Sequence, residues 1–382
     1  MLYKIVFTLN LVFLLNINSG AQNFDALIDE GIIDIYSLNF EAAEQKFRTV
    51  LRDNPESPSG LFFLSMIDWW KILLDLENES YDRLFFEKMD NIIYICDKIL
   101  DRDSKNAEAL FFKGGAIGFR GRLRGIRESW LKAADDGREA LPIVQNVIKI
   151  DPNNKDALLG FGIYNYYAAV IPNQYPFIKP LMFFFPDGDK QLGISQLEQV
   201  ANEGRFAKYE AKYFLMTLYQ NYESNPAKSE LYAKELTSLF PLNPVFLKWR
   251  GRAAVQRNES LLWYEIFNQI DSLCEAKIFG FNERTQREAV YYLGYYFFNL
   301  NSHEQSKKYF EKCVELSKIL DKKEESGYFV NSMIILGNIF DLEGNRETAL
   351  SYYQPVLKMK EFNDSRNRAK MFINFPFGSN NQ

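Results

Sequence analysis

Residues 293–313, LGYYFFNLNSHEQSKKYFEKC, and residues 336–356, LGNIFDLEGNRETALSYYQPV, decide the fold. Each stretch opens on a Leu-Gly pair followed by a ring: Leu293-Gly294 then Phe297, and Leu336-Gly337 then Phe340. Each continues with a small residue, an aromatic and a compact apolar residue at identical spacings. These are Ser306, Phe310 and Cys313 in the first, and Ala349, Tyr353 and Val356 in the second. Steps of three and four place such residues on one face of a helix. Two helices alone cannot bury those faces, but stacked pairs can.

Working outward, the second half of the pattern recurs at Ala43, Phe47, Val50, Pro55 and at Ala140, Val144, Val147, Pro152. It recurs more loosely at Tyr232, Leu236, Leu239, Pro244. Each proline falls where one helix must stop. The phase then predicts a large–small pair in the next unit: Leu64-Ser65 after Pro55, Phe161-Gly162 after Pro152 and Ala253-Ala254 after Pro244. First helices are expected to begin near Phe24, Pro58, Ala107, Lys155, Tyr209, Leu247, Arg287 and Val330, with a capping helix over Ser365–Phe375.

This pattern resembles the tetratricopeptide-repeat superfamily, in a divergent, exported, bacterial-type form. The resemblance implies an all-α chain, a right-handed α-solenoid of about eight antiparallel helix pairs. It covers a single repeat domain over 22–375, most regular over 287–363 and long and irregular over 58–208, with a tail at 376–382. The central units, through Gly160-Phe161-Gly162-Ile163-Tyr164, Tyr166-Tyr167, Pro172, Gly188-Asp189 and Gly193, also resemble a eukaryotic helical-repeat family linked to mitochondrial outer membranes and inclusion clearance. That family's function does not transfer, because this chain opens on an export signal.

The export signal is read from Lys4, the apolar run Ile5 to Leu15, and Ser19-Gly20-Ala21, which place cleavage before Gln22 and make 1–21 a signal peptide. No cysteine follows the apolar run, so a lipoprotein signal is excluded, and a periplasmic or secreted location is expected. The net charge of −5 becomes about −6 without Lys4. An acidic chain repels phosphate backbones, which argues against nucleic acid as a partner. Cys96, Cys274 and Cys313 form no CxxC and read as buried thiols, with a Cys274–Cys313 bridge as the other option.

The resemblance implies that first helices line a concave surface. Carried over by position, that lining includes Phe111, Gly115 and Phe119, then Leu159, Ile163, Tyr166 and Tyr167, then Tyr291, Tyr295 and Phe298. Such an aromatic groove suits an apolar or extended peptide. The proline-rich apolar stretch 170–186 reads as a loop, since its prolines oppose a regular helix, and it must pack into the concavity, touch a membrane or meet a partner. Asp189 reads as a helix cap. Arg120, Arg122, Arg124 and Arg127 form a cluster that reads either as an anion patch or as partners for nearby carboxylates. Trp69, Trp70 and Trp130 read as packing residues.

His303 is the only histidine, which opposes histidine-based zinc sites and catalytic triads. No Walker loop, dinucleotide fingerprint or HExxH occurs. The sequence therefore points to a non-enzymatic protein- or peptide-binding scaffold of the cell envelope, without cofactor or metal, and leaves the oligomeric state open. A glycan-binding envelope protein is the runner-up, and an all-α carboxylate-pair glycosidase is the enzyme alternative.

Overall fold

The computed structural model describes residues 24–176, 179 and 186–379. Residues 1–23, most of the stretch 177–185 and the last three residues lie outside them, so the expected signal peptide at 1–21 falls outside the described residues. Among the described residues every regular element is helical. In chain order the α-helices are α1 (24–36), α2 (Phe40–Asp53), α3 (Pro58–Leu74), α4 (Asp82–Arg102), α5 (Ala107–Ile126), α6 (Trp130–Ile150), α7 (Leu158–Gln174), α8 (Lys190–Glu203), α9 (Lys208–Asn221) and α10 (Pro226–Leu239). A second compact unit begins at Pro244 and holds α11 (Pro244–Gln256), α12 (Ser260–Glu275), α13 (Glu283–Asn299), α14 (His303–Leu320), α15 (Gly327–Leu342), α16 (Arg346–Val356) and α17 (Ser365–Asn374). Consecutive helices pair as α1/α2 through α15/α16, which makes eight pairs, and α17 is the cap. The eight expected starts fall within four residues of these first helices.

Local chemistry explains the boundaries. Ser57, Asn106, Asp189, Asn225, Asn282, Ser326 and Asn345 each accept a backbone N–H from the first turn of the helix they precede. Asp189 is thus the cap expected, at 3.0 Å from the Leu192 nitrogen. Pro58, Pro226 and Pro244 stand at first helical positions, where a missing N–H costs nothing.

Inside the pairs, small residues let helices touch and rings fill the contact. A Cβ on Gly294 would come within 2.9 Å of the Phe310 ring, and one on Gly251 within 2.6 Å of Phe267. Gly31 with Phe47 and Gly337 with Tyr353 repeat the arrangement, always sixteen residues apart. Ala253 and Ala254 are buried as the phase requires, yet the small residue against the Phe267 ring is Gly251. Pro244 starts a helix there rather than following one, so the phase counted from it slips. In the long pair α7/α8 the contact is backbone on backbone: a Cβ on Gly193 would lie 2.5 Å from the Tyr166 nitrogen and 2.8 Å from the Gly162 oxygen.

Two expectations are corrected. The stretch 170–174 is not loop but the last turn of α7, with Pro172 inside it. Pro172 gives up the one N–H that would return to the Ala168 carbonyl, the helix runs only two residues past it, and the Tyr175 N–H still donates to the Ile171 oxygen at 2.8 Å. Of the core-or-groove packing expected of Trp130, the core half fails: it is 42% exposed at the start of α6, a helix that buries only Asp136 and Val147. Trp69 and Trp70 are fully buried.

Candidate functional site

In the first unit the face made by α3, α5 and α9 is filled by its own side chains. Phe119 packs 5.7 Å from Phe62 and 5.3 Å from Trp69, and Phe111 lies 6.4 Å from Phe206. The Arg122 guanidinium sits between Trp69 and Phe214, at 4.7 and 4.4 Å from their ring centres, and pairs with the buried carboxylate of Glu210. Tyr36 of α1 donates its hydroxyl to the same carboxylate at 3.3 Å. Burial, reinforced by Glu210, raises the Tyr36 pKa and keeps it a donor.

These contacts close α1 onto residues more than 170 positions later. Arg205 pairs with Asp25 and Asp29 at 3.0 Å, and Asn243 donates to the Tyr36 carbonyl at 2.8 Å. Further along, Leu159, Ile163 and Tyr167 pack on the cluster around Tyr166, which is fully buried and donates to Glu223 at 2.7 Å. Burial lifts the Glu223 pKa, but hydrogen bonds from Tyr166 and Lys190 outweigh it and leave it lowered.

The arginine cluster is neutralised from within the unit. Arg120 meets Asp90, Asp136 and Glu139; Arg124 meets Asp136; Arg127 holds Asp82 with two hydrogen bonds; Arg122 meets Glu210.

The second unit presents a different face. Tyr291, Tyr295 and Phe298 follow one stripe of α13 and are each half-buried. Phe310 supports them from beneath, 6.0 Å from Tyr291 and 5.3 Å from Tyr295, and Tyr328 adds a ring 5.1 Å from Tyr291. The same stripe continues back to Glu288, which binds Arg252 through two hydrogen bonds of 2.5 and 2.7 Å. Local patterning did not reveal this pair. The only signal was a carboxylate placed on the stripe of Tyr291, Tyr295 and Phe298.

Burial works against the Glu288 carboxylate, but the charge and hydrogen bonds of Arg252 reverse it, and the pKa falls below the ordinary 4.5. Its contribution to stability is therefore complete above that value and lost as pH falls through the lower folded value. Glu288→Gln is expected to flatten the acid dependence of the second unit's stability, checked by urea melts between about pH 3 and pH 6.

The three cysteines are free and buried. Burial pushes Cys96 and Cys274 up to about 12 and Cys313 up to about 11, so all three are neutral thiols without nucleophilic character. Among the described residues no three His, Cys, Asp or Glu side chains gather as a metal site. No helix among them is long and apolar enough to cross a membrane.

A profile described as "Tetratricopeptide repeat" matches residues 288–319, the pair α13/α14. No curated protein matches the chain. Among solved structures, the type IV pilus biogenesis factor PilW is similar at 14% identity over 66% of this chain and 96% of its own, with a TM-score of 0.42. The APC/C hetero-tetramer Cut9–Hcn1 is similar at 15% identity, over 87% of this chain and 58% of that one, with a TM-score of 0.45. The C-terminal part of a repeat-containing protein from Cytophaga hutchinsonii is similar at 14% identity over 80% and 98%, with a TM-score of 0.38. The chain thus carries one matched tetratricopeptide repeat at 288–319, and its described residues form eight helix pairs, an all-α architecture similar to that of tetratricopeptide-repeat proteins.

Proposed function

We propose that this protein is a non-catalytic scaffold of the cell envelope that captures an extended, apolar segment of a partner protein on the first-helix face of its second unit. Tetratricopeptide proteins in general mediate contacts between proteins. The observation that carries the assignment to this face is the half-buried stripe Tyr291, Tyr295 and Phe298, braced by Phe310. Rings with one face in the core and one edge in water bind apolar side chains with little loss of rotamer freedom. The corresponding residues of the first unit, Phe111, Phe119, Leu159, Ile163, Tyr166 and Tyr167, serve its own packing in this reading. The envelope location follows from the leader pattern of residues 1–21, and the mature chain is expected to start at Gln22 on N-terminal sequencing.

The double variant Tyr295→Ala/Phe298→Ala tests the face. Each ring lost from a contact centre costs about 2 kcal/mol of binding or more, so partner capture from an envelope fraction should fall at least about thirtyfold. The variant should keep its helical circular dichroism. Undiminished capture by a folded variant would remove the proposal.

A further inference from the structure

The second unit holds a piece of its own chain against this same face. After α17 ends at Asn374 the chain turns back toward the ends of α13 and α15. The ring of Phe377 lies 6.3 Å from Phe298 and 5.3 Å from Phe372. Its backbone N–H donates to Asp341 at 2.8 Å. Gly378 follows at φ +80°, where a Cβ would come within 2.9 Å of a Leu342 methyl, and the Ser379 N–H returns to the Pro376 carbonyl at 3.1 Å. The receiving side is a buried polar cluster. The Asp341 carboxylate is fully buried and also accepts from Arg346 and from the Tyr353 hydroxyl. Arg346 in turn donates to the Phe372 carbonyl at 2.8 Å. A ring, a turn and one oriented N–H are thus each met by a fixed counterpart.

We infer that Phe377 is a resident occupant of one subsite of the proposed groove, and that the external partner carries the same chemistry. That partner segment is a short turn with a proline followed by an aromatic residue and glycine. It places the ring on Phe298 and offers the backbone N–H of that same aromatic residue to Asp341. This rests on the groove reading and adds its ligand class and its regulation. An attached occupant competes at high effective concentration, so the free chain binds such a segment more weakly than a chain whose own tail is disabled. A tail closed about nine-tenths of the time raises the apparent Kd about tenfold.

The test is calorimetric titration of an amidated Phe-Pro-Phe-Gly-Ser peptide into the full chain, into Phe377→Ala, and into Phe377→Ala/Phe298→Ala. Phe377→Ala should bind about tenfold more tightly than the full chain, and the double variant should lose that gain. A chain lacking residues 376–382, which keeps α17, provides a second route to the open face should Phe377→Ala melt early. Equal affinity in the full and opened chains, absence of binding to both opened forms, or full binding by the double variant would each overturn the inference. The titration uses no envelope partner. Its failure therefore leaves the capture result for Tyr295→Ala/Phe298→Ala standing, and failed capture leaves the titration readable.

Discussion

Gly193→Ala is expected to destabilise the first unit by about 2 kcal/mol or more, although alanine is the better helix former. The added methyl would stand 2.5 Å from the Tyr166 nitrogen and 2.8 Å from the Gly162 oxygen. Both are backbone atoms of α7, so no rotamer change relieves the clash and the two helices must move apart. The gain of up to about 1 kcal/mol in helix propensity does not offset that separation. Gly118 of α5 supplies the opposite case, because nothing lies within 4 Å of the Cβ it lacks. Gly118→Ala should leave stability unchanged or raise it by up to about 1 kcal/mol. Denaturant melts of both variants decide the matter, and equal midpoints would contradict the packing described.

The second large effect is expected at Asp321→Ala in the second unit. Arg287 and Asp321 form an ion pair at 2.5 Å with each side chain only 8% exposed. Removing the carboxylate leaves a guanidinium buried beneath Tyr328, whose ring lies 5.3 Å away. Breaking such a pair by deleting one partner costs about 3–5 kcal/mol. Asp321 also accepts the Ser326 N–H at 2.8 Å, so the turn into α15 loosens as well. Arg287→Met/Asp321→Leu, which removes both charges, should recover much of the loss, since an apolar pair needs no compensation. Urea unfolding of Arg287→Met, Asp321→Leu and the double variant forms a closed cycle, and additive effects would deny the coupling.

The legibility of this fold in its sequence follows the range of each interaction. The pairs Gly294–Phe310 and Gly337–Tyr353 lie sixteen residues apart, so local spacing carried the whole contact, and the helix starts came with it. Where a pair is longer, the partner of Gly162 is Leu197, and no fixed spacing announces it. Pro172 misled because a proline's effect depends on its distance from the helix end, which spacing alone did not supply. Arg122 looked like one member of a charged run. Its place between Trp69 and Phe214 required α3, α5 and α9 to be brought together, a tertiary fact with no local signature. The rings of α13 were legible as a stripe, whereas the return of Phe377 onto Phe298 joins residues 79 positions apart through a turn at Gly378.

The link from Tyr36 to Asn243 spans 207 residues. A ribosome adding about 5–20 residues per second needs roughly 10–40 s to deliver the second partner after the first has emerged. During that interval Ile28, Ile32 and Ile35 of α1, all buried in the finished unit, have only their immediate neighbours to cover them. The first helix is thus the earliest made, yet it is secured only when the end of its own unit emerges, so a nascent chain of this protein stays open, and accessible to holding chaperones, until more than half of it has been synthesised.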